Sequence, residues 1–170
     1  MIEALGRLID ISVGVAPVDL QTAQTGKRVG LRRADGCTIV VFKGAGTAGD
    51  DPTVTLKQHT ASTGGTTANL AIIDHYYLKN ATTLAGTETW TRVAQTAAAT
   101  IADPGGAGTS AESQQILVIE VNAAQLSDGY AYISLDVADT GTNAQLGCVL
   151  YLLRDLVPKR KPANLAAALS

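Results

Sequence analysis

Apolar and polar residues alternate along this chain with the period of strands rather than helices. From Tyr130 to Ala138, the residues Ala131, Ile133, Leu135 and Val137 share one face and Tyr130, Tyr132, Ser134 and Asp136 the other. That is the two-residue repeat of a half-buried strand. Thr53–Gln58 repeats it, with Val54 and Leu56 inward and the threonines and Lys57 outward. Three runs, Ile39–Phe42, Ile116–Ile119 and Cys148–Leu153, are apolar at every position, which predicts central strands covered on both faces. Thr89-Trp90-Thr91-Arg92-Val93 is a further strand candidate, because such side chains suit a pleated surface.

Turn signals separate these runs: Gly44-Ala45-Gly46, Gly49-Asp50-Asp51-Pro52, Ser62-Thr63-Gly64-Gly65, Asp103-Pro104-Gly105-Gly106 and Ser127-Asp128-Gly129. Only Val121–Leu126 suggests a helical turn, with Asn122 as its N-cap. Short strands punctuated by Gly and Pro point to an all-β fold, an antiparallel β-sandwich or jelly roll. With 170 residues the chain holds one ordinary domain. The pattern places it at residues 27–154, between an extended N-terminal arm at 1–26 and a C-terminal arm at 155–170, within which Pro158 ends the strand region and Lys159-Arg160-Lys161-Pro162 begins the tail.

Composition sharpens this picture. Apolar residues make up 46% of the chain and charged residues only 16%, against the usual quarter. So little charge suits a subunit whose surface is largely covered. A net charge of −2, with no basic stripe before the C-terminus, argues against coating nucleic acid. No apolar run reaches the twenty or so residues that span a bilayer. The opening Met1-Ile2-Glu3-Ala4-Leu5-Gly6-Arg7 lacks the form of a secretion signal, so the expected origin is a cytoplasm.

Residues able to do chemistry are scarce. Cys37 and Cys148 sit in apolar runs without Cys or His at ligand spacing, so they read as reduced core residues, with a strand-to-strand disulfide as the sharper alternative. A Cys–His nucleophile would need a thiolate beside His59 or His75, in a polar setting. Asp50-Asp51 could start a calcium loop, but Pro52 follows at once and a plain turn explains the pair. Gly44–Gly49 carries the letters of a nucleotide loop, yet it leads into a strand where phosphate binding needs a helix. Gly105–Ser110 is read as a loop in the same way. Lys159-Arg160-Lys161 fits an arm docking on an acidic patch better than a nucleic-acid grip. No motif supports catalysis, a metal or a cofactor.

Several stretches carry a resemblance. They are Ala16–Ala23, Phe42–Pro52, Ile73–Lys79, Ala102–Thr109 and Tyr132–Gly141. Together they make the chain resemble, over nearly its full length, the small virion structural proteins of tailed phages, and within them capsid decoration (cement) proteins most. The resemblance implies a β-rich, often trimeric protein that binds the major capsid protein on the outside of the shell, reinforces it by packing alone, and is assembled in the host cytoplasm. The two arms would reach neighbouring subunits. A tail or neck component fits the same composition. A carbohydrate- or receptor-binding module would instead display exposed aromatics, for which Trp90, Tyr76, Tyr77, Tyr130 and Tyr132 are the candidates.

Overall fold

The computed structural model describes residues 3–106 and 108–157. Eleven strands form in chain order: β1 (Ile9–Asp19), β2 (Val29–Gly30), β3 (Ala34–Lys43), β4 (Thr53–His59), β5 (Thr67–Asn69), β6 (Ile73–Ala81), β7 (Thr91–Ala98), β8 (Thr100–Ala102), β9 (Gln114–Asn122), β10 (Tyr132–Val137) and β11 (Leu146–Leu156). They build two antiparallel sheets. The larger has six strands in the order β1-β11-β3-β9-β6-β7. The smaller runs β2-β10-β4-β5, with β8 pairing β4 beside β5. This is an all-β fold of two packed sheets.

The core lies between the sheets. β10 delivers Ile133, Leu135 and Val137 and β4 delivers Val54 and Leu56, all buried, as their alternation predicts. Facing them from the larger sheet are Cys37, Ile39 and Val41 of β3, Leu117, Ile119 and Val121 of β9, and Val149, Tyr151 and Leu153 of β11. The predicted helical turn is a single 3₁₀ turn over Ala123–Gln125. Asn122 caps it: its side chain accepts from Ala124 N, and Gln125 reaches back to the Asn122 amide, a closed capping box.

The N-terminal segment departs from expectation. Within the extended N-terminal arm expected at 1–26, Ile9–Asp19 is instead the edge strand of the larger sheet, paired from Ile9↔Arg154 to Asp19↔Leu146. Leu20 is buried, and Gln24 bridges Val137 of β10. The physical reason lies in two register shifts, between Val13 and Val15 and between Val15 and Val18. They turn Val15 into the core while Ile11 and Val13 stay outside. Gly14 sits where the Tyr151 ring passes, and a Cβ there would meet Tyr151 Cζ at 2.6 Å. The ring therefore crosses to the other sheet, where its hydroxyl accepts from Leu135 N at 2.9 Å. Of the C-terminal arm expected at 155–170, residues 155 and 156 finish β11 and residues 158–170 lie outside those described. β7 starts at Thr91, so Thr89 and Trp90 precede the strand expected to contain them.

Candidate functional site

The three all-apolar runs are indeed strands, β3, β9 and β11, and they lie side by side in the middle of the larger sheet. Their second faces are not covered. Each strand sends one set of side chains into the core and the other set outward, and among the described residues no element packs over the outward set. The expectation of burial on both sides fails for this reason: the smaller sheet covers one face only.

Register lays the outward residues out in cross-strand rows. The central row runs Val13, Leu150, Val40, Val118, Tyr77 and Arg92, one from each of six neighbouring strands. On one side of it lies Cys148, Phe42, Ile116 and Lys79. On the other lies Ile11, Leu152, Thr38 and Glu120. The apolar members are exposed or half-buried: Ile11 is 51% exposed, Phe42 49% and Leu146, at the margin, 67%. Monomeric soluble proteins keep contiguous apolar patches to a few hundred Å², which makes this face the candidate interaction surface among the described residues.

Charge is confined to the rim. At one end Glu120 accepts from Thr38 Oγ1 at 2.9 and 3.0 Å and lies 3.2 Å from Arg154 Nε. The Arg154 side chain reaches it by lying over Gly36, where a Cβ would meet the guanidinium carbon at 2.8 Å. At the β6–β7 side, the Lys79 ammonium sits 4.9 Å from the centre of the Trp90 ring, a cation–π contact that occupies one ring face. Tyr77, Trp90 and Val118 line a shallow hollow there. Of the aromatics that could serve a sugar-binding module, Tyr76 is buried, whereas Tyr77 and the 49%-exposed Trp90 belong to this face.

The residues with chemical potential are dispersed. Cys37 is fully buried on the core face, where burial pushes its thiol up to about 12. Cys148 lies on the outward face. Both are free. Cys37 pairs with Leu153 and Cys148 with Phe42, so the two are offset by five residues, about 17 Å along the strands, too far for the disulfide weighed as an alternative. His75 stands on β6, three strands from Cys148, and bonds Asp74. His59 lies on the smaller sheet, with Nδ1 2.9 Å from Thr67 Oγ1 and Nε2 2.9 Å from Ser134 Oγ. Burial, then the nearby Arg28 charge, pull it down to about 4, with Asp136 opposing and Lys57 assisting. The structure joins neither cysteine to either histidine.

Asp50 and Asp51 tie loops together. Asp51 Oδ1 accepts from Ser110 Oγ and Ala111 N, both at 2.9 Å. Asp50 Oδ2 accepts from Asn143 N and Nδ2 at 3.1 and 2.9 Å. Sequence reading missed Lys43 at the same end. It is 3% exposed, and its ammonium donates to the carbonyls of Ser110 and Ser113 at 2.5 and 2.6 Å. Burial pulls it down to about 8, against the pull of Asp51 and Glu112. Its place after Phe42 gave no signal, because only the returning loop supplies the acceptors. Among the described residues no group of three or more His, Cys, Asp or Glu is placed to hold a metal. Comparison with known protein families, curated proteins and solved structures finds no match.

Proposed function

We propose that this chain is a structural subunit of a tailed-phage virion, a β-sandwich decoration protein that attaches to the outer capsid and reinforces it by protein–protein packing. The observation that carries the subunit reading is the apolar outer face of the larger sheet. Its middle three strands, β11, β3 and β9, present Leu150, Val40 and Val118 with no charge between them. Leaving such a face in water is costly, at about 25 cal/mol per Å² of apolar surface, and burying it against protein recovers that free energy. The virion assignment rests on the resemblance of the stretches from Ala16–Ala23 to Tyr132–Gly141 to phage structural proteins. Reinforcement needs no catalytic group: opening the shell must also break every contact that the bound subunit makes. Attachment as an oligomer multiplies modest contacts through avidity.

The test is to purify particles from the phage that encodes the chain, identify their proteins by mass spectrometry, and locate this one by cryo-electron microscopy. Density over the outside of the capsid, contacting the major capsid protein, is the expected result. Density confined to the neck or tail would replace decoration with a connector role. Absence from the particles would overturn the virion reading.

A further inference from the structure

We infer that copies of this chain join head to tail, the basic run Lys159-Arg160-Lys161 of one copy docking on the acidic end of the next. The inference goes beyond the virion reading and does not rest on it, because it concerns only how copies of the chain meet.

The two ends of the sandwich differ in charge. At one end β1 and β3 finish and β9 and β11 begin. The strand tips and loops there carry Asp19, Asp50, Asp51, Asp103, Glu112 and Asp139. Against these carboxylates stands the ammonium of Lys43, which is buried and held by the carbonyls of Ser110 and Ser113. Lys79, at the margin, has Glu88 near it. Among the described residues none of the six carboxylates is in an ion pair. Their hydrogen bonds come from neutral groups: Asp19 accepts from Gln145 N, Asp103 from Gly108 N and Asp139 from Gly141 N, as Asp50 and Asp51 do from Asn143 and Ser110. Neutral donors fix a carboxylate in place and leave its charge, so this end keeps a negative field. Asp139 is exposed and the other five are half-buried, open to a cation from outside.

The opposite end supplies the cations. Asp10, Asp35, Glu120 and Asp155 there are matched in number by Arg7, Arg32, Arg33 and Arg154, with Arg154 3.2 Å from Glu120 and 3.5 Å from Asp155. The described chain leaves the fold at this end, where the Val157 amide donates to the Arg33 carbonyl at 2.9 Å. Lys159-Arg160-Lys161 follow, and no acidic residue comes after Asp155 to offset them.

Length decides whose acidic end they meet. β11 is eleven residues long and runs from one end of the sheet to the other, about 35 Å. Lys161 comes four residues after Val157, about 14 Å of fully extended chain. Even with its side chain added, it falls well short of the acidic end of its own copy, so the complementary surface belongs to a neighbour. Such a contact is heterologous: it closes into a ring where the rotation allows and runs on as a filament where it does not. The trimer implied by the resemblance is one such ring.

Sedimentation of the full-length chain across 1–100 µM, at about 50 and about 500 mM salt, tests this. The expected result is an oligomer at low salt whose dissociation constant weakens at least ten-fold at high salt, because exposed ionic contacts are screened. A variant with Lys159, Arg160 and Lys161 all changed to Glu should sediment as a monomer, as should Asp139→Lys combined with Glu112→Lys. Mixed one to one, the two variants should form a dimer and stop there, since the first keeps an acidic end and the second a basic run. Cooperative thermal unfolding reports that each variant is folded. If the acidic-end variant unfolds, the basic-run variant, changed only beyond β11, carries the test alone. A monomeric wild-type chain at 100 µM and low salt would overturn the proposal. So would an oligomer that survives either reversal in a folded variant, or a mixture of folded variants that stays monomeric. The two readings fail separately: an oligomer absent from virions would remove the virion role alone, and a monomer found on capsids would remove the head-to-tail contact alone.

Discussion

His59 shows how strongly position overrides residue type. In the sequence it is one of two histidines in polar company; in the fold it is 3% exposed and bonded through both ring nitrogens. Arg28 closes the site from outside, donating to the carbonyls of Ala61 and Gly64 at 2.9 and 2.6 Å and so holding the loop over the ring. The folded chain resists protonating His59 until about pH 4, whereas an ordinary imidazole takes its proton near 6.5. Between those values the unfolded state binds the extra proton. Stability is therefore complete above pH 6.5 and falls as pH drops toward 4. Relative to His59→Gln, the wild-type chain should lose about 2 kcal/mol between pH 7 and pH 5, read from urea midpoints. Parallel pH profiles for the two proteins would show that the ring titrates normally.

At the scale of elements, the pairing of β2 with β10 stops at Ile133↔Val29 and backbone contact resumes only at Val137, which bridges Gln24. Leu135 faces Leu56 of β4 on one side, and on the side of this gap it packs against Gly26, where a Cβ would meet Leu135 O at 2.1 Å. Tyr151, reaching over from β11, supplies the missing acceptor, and Asp136 Oδ1 accepts from Gly26 N at 2.9 Å to hold the incoming segment. Tyr151→Phe keeps the packing and removes the acceptor, leaving a buried N–H unpaired. We expect a loss of about 1–3 kcal/mol in chemical denaturation, with faster hydrogen exchange at Leu135. An unchanged exchange rate there would mean that the hydroxyl is not its partner. The alternation Ile133, Leu135, Val137 announced the strand, but no local pattern announced a hydroxyl arriving from a different sheet.

For the whole molecule, the decisive pairing joins the two ends of the described chain. β1 covers the edge of β11, and β11 in turn pairs β3 near the middle of the sheet. If residues 1–26 were an arm, removing them would leave the domain intact. Because they supply β1, Val15 and Leu20 to the fold, a chain starting at Lys27 should lose cooperative unfolding and collect in the insoluble fraction. Its recovery as a folded, soluble protein would restore the arm reading. Ile9, Ile11, Val13 and Val15 alternate with other residues in the sequence, a pattern that the arm reading passed over, and the register shifts carry it from the outer face to the core.

What the sequence by itself determined is the class of the fold. Period-two alternation, apolar runs of strand length and Gly-rich breaks leave only strands, and strands with an apolar face must pack as sheets. It also determined the one capped turn, because Asn122 and Gln125 act within four residues. What only the tertiary structure decided is which apolar residues are core. Val40 and Val41 are neighbours of identical chemistry, yet Val41 is buried and Val40 stands on the outer face. A run apolar at every position states that both faces avoid water without saying what covers each. Here the chain's own smaller sheet covers one face, and among the described residues no element covers the other.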